Sequence, residues 1–313
     1  MTNQQKILTI LGAGLWGSAL GNLASCNHHQ VRLWSRSTPK SLESVVAGSD
    51  VLLSAVSMQG VRPTIEKLQS FNLSDHPILV TATKGLDPIT TRTPSQIWGD
   101  AFPDYPVVVL SGPNLSKEIQ KGLPAATVVA SHDIPAAEKI QDIFASDGFR
   151  VYVNNDPLGT ELGGTLKNVM AIAAGVCDGL NLGTNAKAAL LTRALPEIIR
   201  VGTYLGARAE TFFGLSGLGD LLATCNSPLS RNYQVGYKLA QGQSLEQILA
   251  ELEGTAEGIN TTNVLIDIAN GQNLNVPISY QVYRLVKGET TPQQAVQALM
   301  ERALKPEFKD FKL

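Results

Sequence analysis

Short, unbroken apolar runs recur through the first half of this chain and then stop. KILTIL (6–11), VRLW (31–34), VLLSAV (51–56), ILVTAT (78–83), VVVL (107–110), TVVA (127–130) and RVYV (150–153) are β-rich, and helical patterns separate them. Most lack polar alternation, as strands buried on both faces do. Strands and helices alternating at this spacing predict a parallel, doubly wound sheet. After Asn155 the strand signal fades. Helical periodicity then covers 160–177, 187–205, 230–241, 244–252, 256–270, 276–287 and 292–303, several of these starting at a capping Ser, Thr or Asn. The expected organisation is an α/β domain over residues 1–155 and an all-helical domain over 156–313, ending in a loose polar tail, KPEFKDFKL.

At 313 residues the chain exceeds what one hydrophobic core usually serves, which also argues for two domains. A net charge of -2 leaves no basic footprint for nucleic acid. Cys26, Cys177 and Cys225 lie far apart with no CxxC pair, so neither a disulfide framework nor a metal site is expected, and a reducing compartment fits. The N-terminus lacks a signal peptide's cleavage region, and no apolar run reaches membrane-spanning length. The expectation is a soluble, cytoplasmic protein with no membrane insertion.

The first apolar run leads into Gly12-Ala13-Gly14-Leu15-Trp16-Gly17, a G-x-G-x-x-G that follows a predicted strand and opens a predicted helix. That context points to a Rossmann-like dinucleotide-binding domain: Gly12 makes the tight turn, Gly14 admits a pyrophosphate, and Gly17 permits close helix–strand packing. The helix N-terminus supplies amide donors and positive potential. A purely structural turn is the competing reading. The next strand ends in Trp34-Ser35-Arg36-Ser37-Thr38, without the acid that usually bonds the adenosine ribose of NAD. An arginine and three hydroxyls suit a 2′-phosphate, which favours NADPH, with NADH possible.

Two later strands also end in unusual residues, Lys84-Gly85 and Gly112-Pro113-Asn114. Ligands of open parallel sheets bind at the strands' C-terminal ends, so both turns are expected to face the crevice of the glycine loop. For Lys84 a solvated surface role competes. The four histidines, at 28, 29, 76 and 132, all fall in first-domain loops away from that crevice, which disfavours a histidine general acid.

The candidate acid–base group is therefore Lys167, in ELGGTLKNVMAIAAGVCDG (161–179). Its helical neighbours are Gly163, Gly164, Met170 and Ala171, none of which can pair with it. Burial or nearby cations can bring a lysine from about 10.4 to roughly 7–8, where it can protonate the oxygen of a ketone being reduced. A snorkelling lysine is the alternative. In GLSGLGDLLATC (214–225) the single charge, Asp220, sits in what reads as a tight glycine loop, aimed at Lys167 or a substrate hydroxyl, or else capping a helix. Ser230, Arg231 and Asn232 stand at a predicted helix start that suits a phosphate. An N-cap role accounts for Ser230 but not for the Arg-Asn pair.

Taken in order, LGAGLWG, TATKG, SGPN, ELGGTLKNVMAIAAGVCDG, NAKAALLTR, GLSGLGDLLATC, SRN, AEG and PISYQVYRLV resemble the NAD(P)-dependent glycerol-3-phosphate dehydrogenases of bacteria and plastids. The resemblance spans nearly the whole chain. It implies a homodimer that reduces dihydroxyacetone phosphate to sn-glycerol 3-phosphate, a glycerolipid precursor. It also implies Lys167 as proton donor and acceptor, with Gly112, Asn114, Asp220, Ser230 and Asn232 as substrate contacts. Lys84 and Arg231 are implied to be shared by substrate and cofactor. Gly12, Gly14, Trp16, Gly17, Arg36, Ser116, Thr255 and Glu257 are implied cofactor contacts.

The chain departs from the family pattern at several positions. Asn114 stands where serine or threonine is usual, Leu15 where serine is common, and Val56 where proline is usual. WSRSTPKSLESVVAGSDV joins the second and third strands with far fewer residues than the family normally has. Two other readings compete: a related dehydrogenase of small hydroxy acids, and a catalytically silent nucleotide sensor.

Overall fold

The computed structural model describes residues 4–71, 73, 76–304, 306 and 307. Apart from residues 306 and 307, the expected polar tail lies outside them. The chain divides into two compact units, Met1–Glu161 and Leu162–Leu313.

The first unit alternates β1 (Ile7–Leu11), α1 (Leu15–Cys26), β2 (Gln30–Trp34), α2 (Leu42–Val46), β3 (Val51–Ser54), α3 (Met58–Gln69), β4 (Ile78–Thr81), α4 (Pro94–Ala101), β5 (Val107–Ser111), α5 (Ser116–Gln120), β6 (Ala125–Ala130), α6 (Ile134–Phe144) and β7 (Phe149–Asn154). The strands form one sheet in the order β2-β1-β3-β4-β5-β6-β7. Chain progression reverses at β1, which pairs in parallel with β2 on one side and β3 on the other. Leu11 stands opposite both Trp34 and Ser54, and Thr81 opposite Ser54 and Val109. β1 to β4 therefore end together, with β5 running on to Ser111, and the segments that follow them emerge along one edge.

Successive strand residues point to opposite faces. Leu53 and Val80 join α1 and α6 in one core with Leu20, Ile140 and Phe144. Their neighbours Leu52 and Leu79 join α2, α3 and α4 in another with Val45, Ile65 and Trp98. Each such buried side chain stabilises the fold by about 1.5–3 kcal/mol. The unbroken apolar runs thus follow from helices on both faces.

The expectation of an all-parallel sheet needs correction at β6, which runs antiparallel to β5. A parallel return needs a crossover long enough to span the sheet, usually a helix. The connection here holds only the five-residue α5, which is followed by Gly122 with φ +71°, and the chain doubles back. With the longer α6 as crossover, β7 returns parallel to β6. The third and fourth strands are also shorter than the apolar runs, because Ala55 and Ala82 continue past Ser54 and Thr81 as connections.

The second unit is helical: the greater part of α7 (Pro157–Gly179), then α8 (Gly183–Tyr204), α9 (Asp220–Cys225), α10 (Arg231–Ala240), α11 (Leu245–Glu251), α12 (Glu257–Gln272), α13 (Pro277–Val286) and α14 (Pro292–Met300). The side chains of Ser230, Ser244 and Thr291 accept from backbone amides as N-caps of α10, α11 and α14.

Two helix starts are capped by a buried glutamate from elsewhere in the chain. Within the first unit, Glu161 accepts from the Ser95 amide at 3.0 Å and the Ser95 hydroxyl at 2.5 Å, at the start of α4. In the second, Glu197 of α8 accepts from the amides of Ile278 and Ser279 at 3.0 and 2.8 Å, at the start of α13. Both capped helices have proline at their first position, so the amides that follow are the ones needing an acceptor. Burial pushes both carboxyls up, Glu161 to about 7.

Candidate active site

Each unit carries its own constellation. In the first, Gly12 turns the chain out of β1 with φ +113°, and its amide donates to the Trp34 carbonyl at 2.8 Å. A Cβ there would stand 2.7 Å from the Ala55 carbonyl oxygen, so only glycine fits. A side chain at Gly17 would collide with the Gly12 carbonyl, so this glycine lets α1 press against the strand. Gly14 differs: nothing lies within 4 Å of where its Cβ would be. The start of α1 has no side-chain cap and no acid in its first turn. An open cradle of backbone at an uncapped helix N-terminus fits a pyrophosphate.

Around that loop, Trp16 packs partly into the first core, and Arg36 is exposed just beyond β2. Ser35, Ser37 and Thr38 bond one another rather than facing outward separately, with the Ser35 amide also held by the Thr38 hydroxyl at 2.8 Å. Ser116 opens α5, whose Gln120 reaches the Leu15 carbonyl at 3.4 Å.

Lys84 follows β4 half-buried, its Nζ 3.4 Å from the Gly112 carbonyl, so the turns after β4 and β5 meet. The loop beyond Lys84 is pinned by Asp87, which accepts from Arg62 Nε at 2.9 Å and from the Thr90 amide and hydroxyl at 2.8 Å. Burial pushes the Asp87 carboxyl up, but Arg62 and Thr90 together outweigh it and hold it well below the usual carboxylate range. Asn114 turns its carboxamide onto β6: Nδ2 donates to the Ala126 carbonyl at 3.3 Å, and Oδ1 accepts from the Thr127 hydroxyl at 2.8 Å. Its carboxamide thereby anchors the turn after β5 to β6.

In the second unit Lys167 is 5% exposed and Asp220 2%. Lys167 Nζ donates to Asp220 Oδ1 at 2.9 Å and to Thr224 Oγ1 at 2.5 Å. Thr224 in turn lies 3.0 Å from Asp220 Oδ1. An ammonium has only donors, so Thr224 accepts from Lys167 and passes its own proton toward Asp220. Burial and the carboxylate act on Lys167 in opposite directions, the first disfavouring and the second favouring its charge.

Glycines explain how this pair forms. Gly163, one turn before Lys167 on α7, lies so close to residues 215–219 that a Cβ would stand 2.8 Å from the Ser216 carbonyl oxygen. That segment, expected to be a tight loop, is a π-helical turn, Leu215–Gly219, running directly into α9. Asp220 is therefore the first residue of α9 and Thr224 lies one turn on, which places both on one face toward Lys167. Reading GLGD as a loop concealed that i, i+4 spacing, and Thr224 was missed for this reason.

The start of α10 gathers the remaining candidates. Ser230 is the N-cap, its hydroxyl accepting from the Tyr233 amide at 3.3 Å. Asn232 Oδ1 accepts from the Gly258 amide at 2.9 Å, at the start of α12. Arg231 is exposed, as is Thr255, and Glu257 opens α12. Among the described residues no group of His, Cys, Asp and Glu could hold a metal ion, and no helix is long and apolar enough to cross a membrane.

Comparison with known proteins gives a consistent result. The family model described as NAD-dependent glycerol-3-phosphate dehydrogenase C-terminus matches residues 156–297, and its N-terminus counterpart matches 7–45 and 37–137. A Synechocystis sp. protein named glycerol-3-phosphate dehydrogenase [NAD(P)+] is 66% identical over 306 residues, covering 98% of this chain and 96% of the relative. One of the same name from Acaryochloris marina is 64% identical over 303 residues, covering 97% and 98%. Among solved structures, glycerol-3-phosphate dehydrogenase from Coxiella burnetii superposes with a TM-score of 0.90 at 32% identity, covering 95% of this chain and 99% of that one.

Proposed function

This chain belongs to the NAD-dependent glycerol-3-phosphate dehydrogenase family, and from that premise we propose that it interconverts dihydroxyacetone phosphate and sn-glycerol 3-phosphate with Lys167 exchanging the proton. The observation that carries the proton assignment is the buried Lys167–Asp220–Thr224 network. NAD(P)H, when bound, supplies the hydride to the carbonyl carbon. Negative charge develops on the carbonyl oxygen as it does so, and an ammonium in a site of low dielectric stabilises it and donates the proton. The Lys167 N–H bond breaks as the substrate O–H bond forms, and oxidation of the alcohol returns the proton to the amine. Thr224 and Asp220 orient the amine in both states.

In this reading the glycine loop, with Gly12, Gly14 and Gly17, holds the pyrophosphate, and Trp16, Ser116, Thr255 and Glu257 complete the cofactor contacts. Lys84 and Arg231 serve cofactor and substrate, while Gly112, Ser230 and Asn232 hold the substrate. Asn114, both ends of whose amide are already engaged, retains one N–H for a ligand. NADPH is the preferred cofactor: Arg36 is exposed directly after β2, and residues 34–38 contain no acid. The protein works as a cytoplasmic homodimer supplying glycerol 3-phosphate to glycerolipid synthesis, as the family resemblance implies.

The test is NADPH oxidation with dihydroxyacetone phosphate, followed by absorbance for wild type and for Lys167→Ala shown to fold and bind NADPH. The expected loss of kcat is about 10³-fold or more, since general acid catalysis and charge stabilisation are both removed. Equal turnover by the two proteins would reduce the lysine to a structural role. No turnover by wild type with either nucleotide would overturn the substrate assignment. Arg36→Ala is expected to raise KM for NADPH while leaving that for NADH unchanged.

A further inference from the structure

We propose that Gly254 and Gly258 are positioning residues for the reaction, setting the guanidinium of Arg231 and the carboxamide of Asn232 that hold the phosphate end of the substrate. The inference rests on the reading above and adds two positions to it. Both glycines lie in GTAEG (254–258), the segment that leads into α12, and each meets one of two adjacent residues of α10.

Gly254 has φ +90°, a conformation that L side chains rarely adopt. The atoms nearest to where its Cβ would stand are Arg231 Nη1, Cζ and Cδ, the first in outright collision. The bare backbone of Gly254 is thus the surface on which the guanidinium rests. Arg231 is otherwise exposed at the first position of α10, on a long stem free to sample many rotamers in water. A bidentate phosphate contact demands one orientation of that planar group, and the glycine backbone supplies a wall for it.

Gly258 acts on the neighbouring residue by a different route. Its amide donates to Asn232 Oδ1 at 2.9 Å. An N–H requires an oxygen, so the carboxamide's two ends are assigned, leaving Nδ2 as the end able to donate to a ligand oxygen. A Cβ on Gly258 would stand 2.7 Å from Asn232 Oδ1 and 2.7 Å from the carbonyl oxygen of Asn168, the residue after Lys167. The first turn of α12 therefore presses on α7 and α10 together, and Asn232, 8% exposed, is locked by it.

The experiment compares Gly254→Ala and Gly258→Ala with wild type in steady-state reduction of dihydroxyacetone phosphate and of unphosphorylated dihydroxyacetone. For a positioning role, KM for the phosphorylated substrate should rise at least about tenfold while kcat stays within about threefold. The preference for the phosphorylated over the unphosphorylated ketone should fall about as much. A double-mutant cycle supplies the decisive readout. Gly254→Ala should change KM less than about twofold in an Arg231→Ala background, because the group being positioned is already gone. Gly258→Ala should lose only part of its effect with Asn232→Ala, because its collision with the Asn168 carbonyl remains.

Equal effects with and without the partner side chain would overturn the inference, as would an unchanged KM in both single variants. If Gly258→Ala fails to fold, Gly254→Ala still decides: the atoms it meets belong to the far end of a flexible side chain, and the backbone strain any side chain brings at φ +90° is common to both Arg231 backgrounds and cancels in the cycle. Wild type that turns over no keto-phosphate would instead sink the functional reading on which the inference stands.

Discussion

Replacing Glu161 with glutamine should make this protein more stable at pH 8 than wild type by a margin that vanishes toward pH 4.5. Glu161 is 2% exposed, and burial raises its carboxyl from 4.5 to about 7 against the opposing hydrogen bonds of Ser95 and Thr93. At 1.36 kcal/mol per pH unit, the folded state disfavours the ionised form by about 3 kcal/mol. Between those two values the folded protein holds a proton that the unfolded chain releases. This residue's contribution to stability is therefore fully present below about 4.5, declines as pH rises toward 7, and is constant above. Glutamine stays neutral throughout, keeps an acceptor for the Ser95 amide and can donate to the Ser95 hydroxyl. Its stability minus that of wild type should grow by about 3 kcal/mol from pH 4.5 to 8. For a unit of this size that is roughly 6–12 °C in Tm. Thermal unfolding of the full chain followed by circular dichroism at pH 4.5, 6, 7 and 8 reads it directly. A gap independent of pH, or one that narrows as pH rises, would refute the argument.

Asp87→Asn tests the opposite sign. Its carboxyl is held far below 3.8 in the folded protein, so the stability it contributes is present above that value and is lost as pH falls through the folded one. Urea unfolding should show the variant about 2 kcal/mol less stable at pH 7, with the deficit shrinking once pH drops below about 4. Thiol labelling of the native protein should find one fast cysteine: Cys26 is exposed, whereas Cys177 and Cys225 are buried. Burial pushes the Cys225 thiol up to about 12, so it should react only on unfolding; three fast thiols would contradict the packing around α9.

Much of the fold was legible because its signals are local. Apolar runs such as VLLS and ILVT mark strands buried on both faces, and these two strands are buried at every position. The glycine loop announced its turn because the constraints on Gly12 and Gly17 come from residues close in sequence or in the adjoining strand. The helices of the second half showed their period, several with Ser or Thr caps, although α9, six residues long, was too short to show one. The family resemblance added identity to this pattern; the pattern alone reached a dinucleotide-binding domain followed by helices.

What tertiary structure decided lies in pairings across long sequence separations. The direction of β6 depends on how a five-residue helix turns, and no apolar run records direction. Asn114 follows β5 in sequence, and only the fold set its carboxamide against Ala126 and Thr127 of β6. Glu161 and Glu197 cap helices that start dozens of residues away, a pairing no local pattern records. The amino-acid sequence by itself determined that the three- and four-residue neighbours of Lys167 are Gly163, Gly164, Met170 and Ala171, whose side chains carry no charge, because those neighbours follow from helical geometry alone. Only the tertiary structure decided that Asp220 and Thr224 would meet it, because the close approach of α7 to the π-turn depends on Gly163, where any Cβ would force the two segments apart.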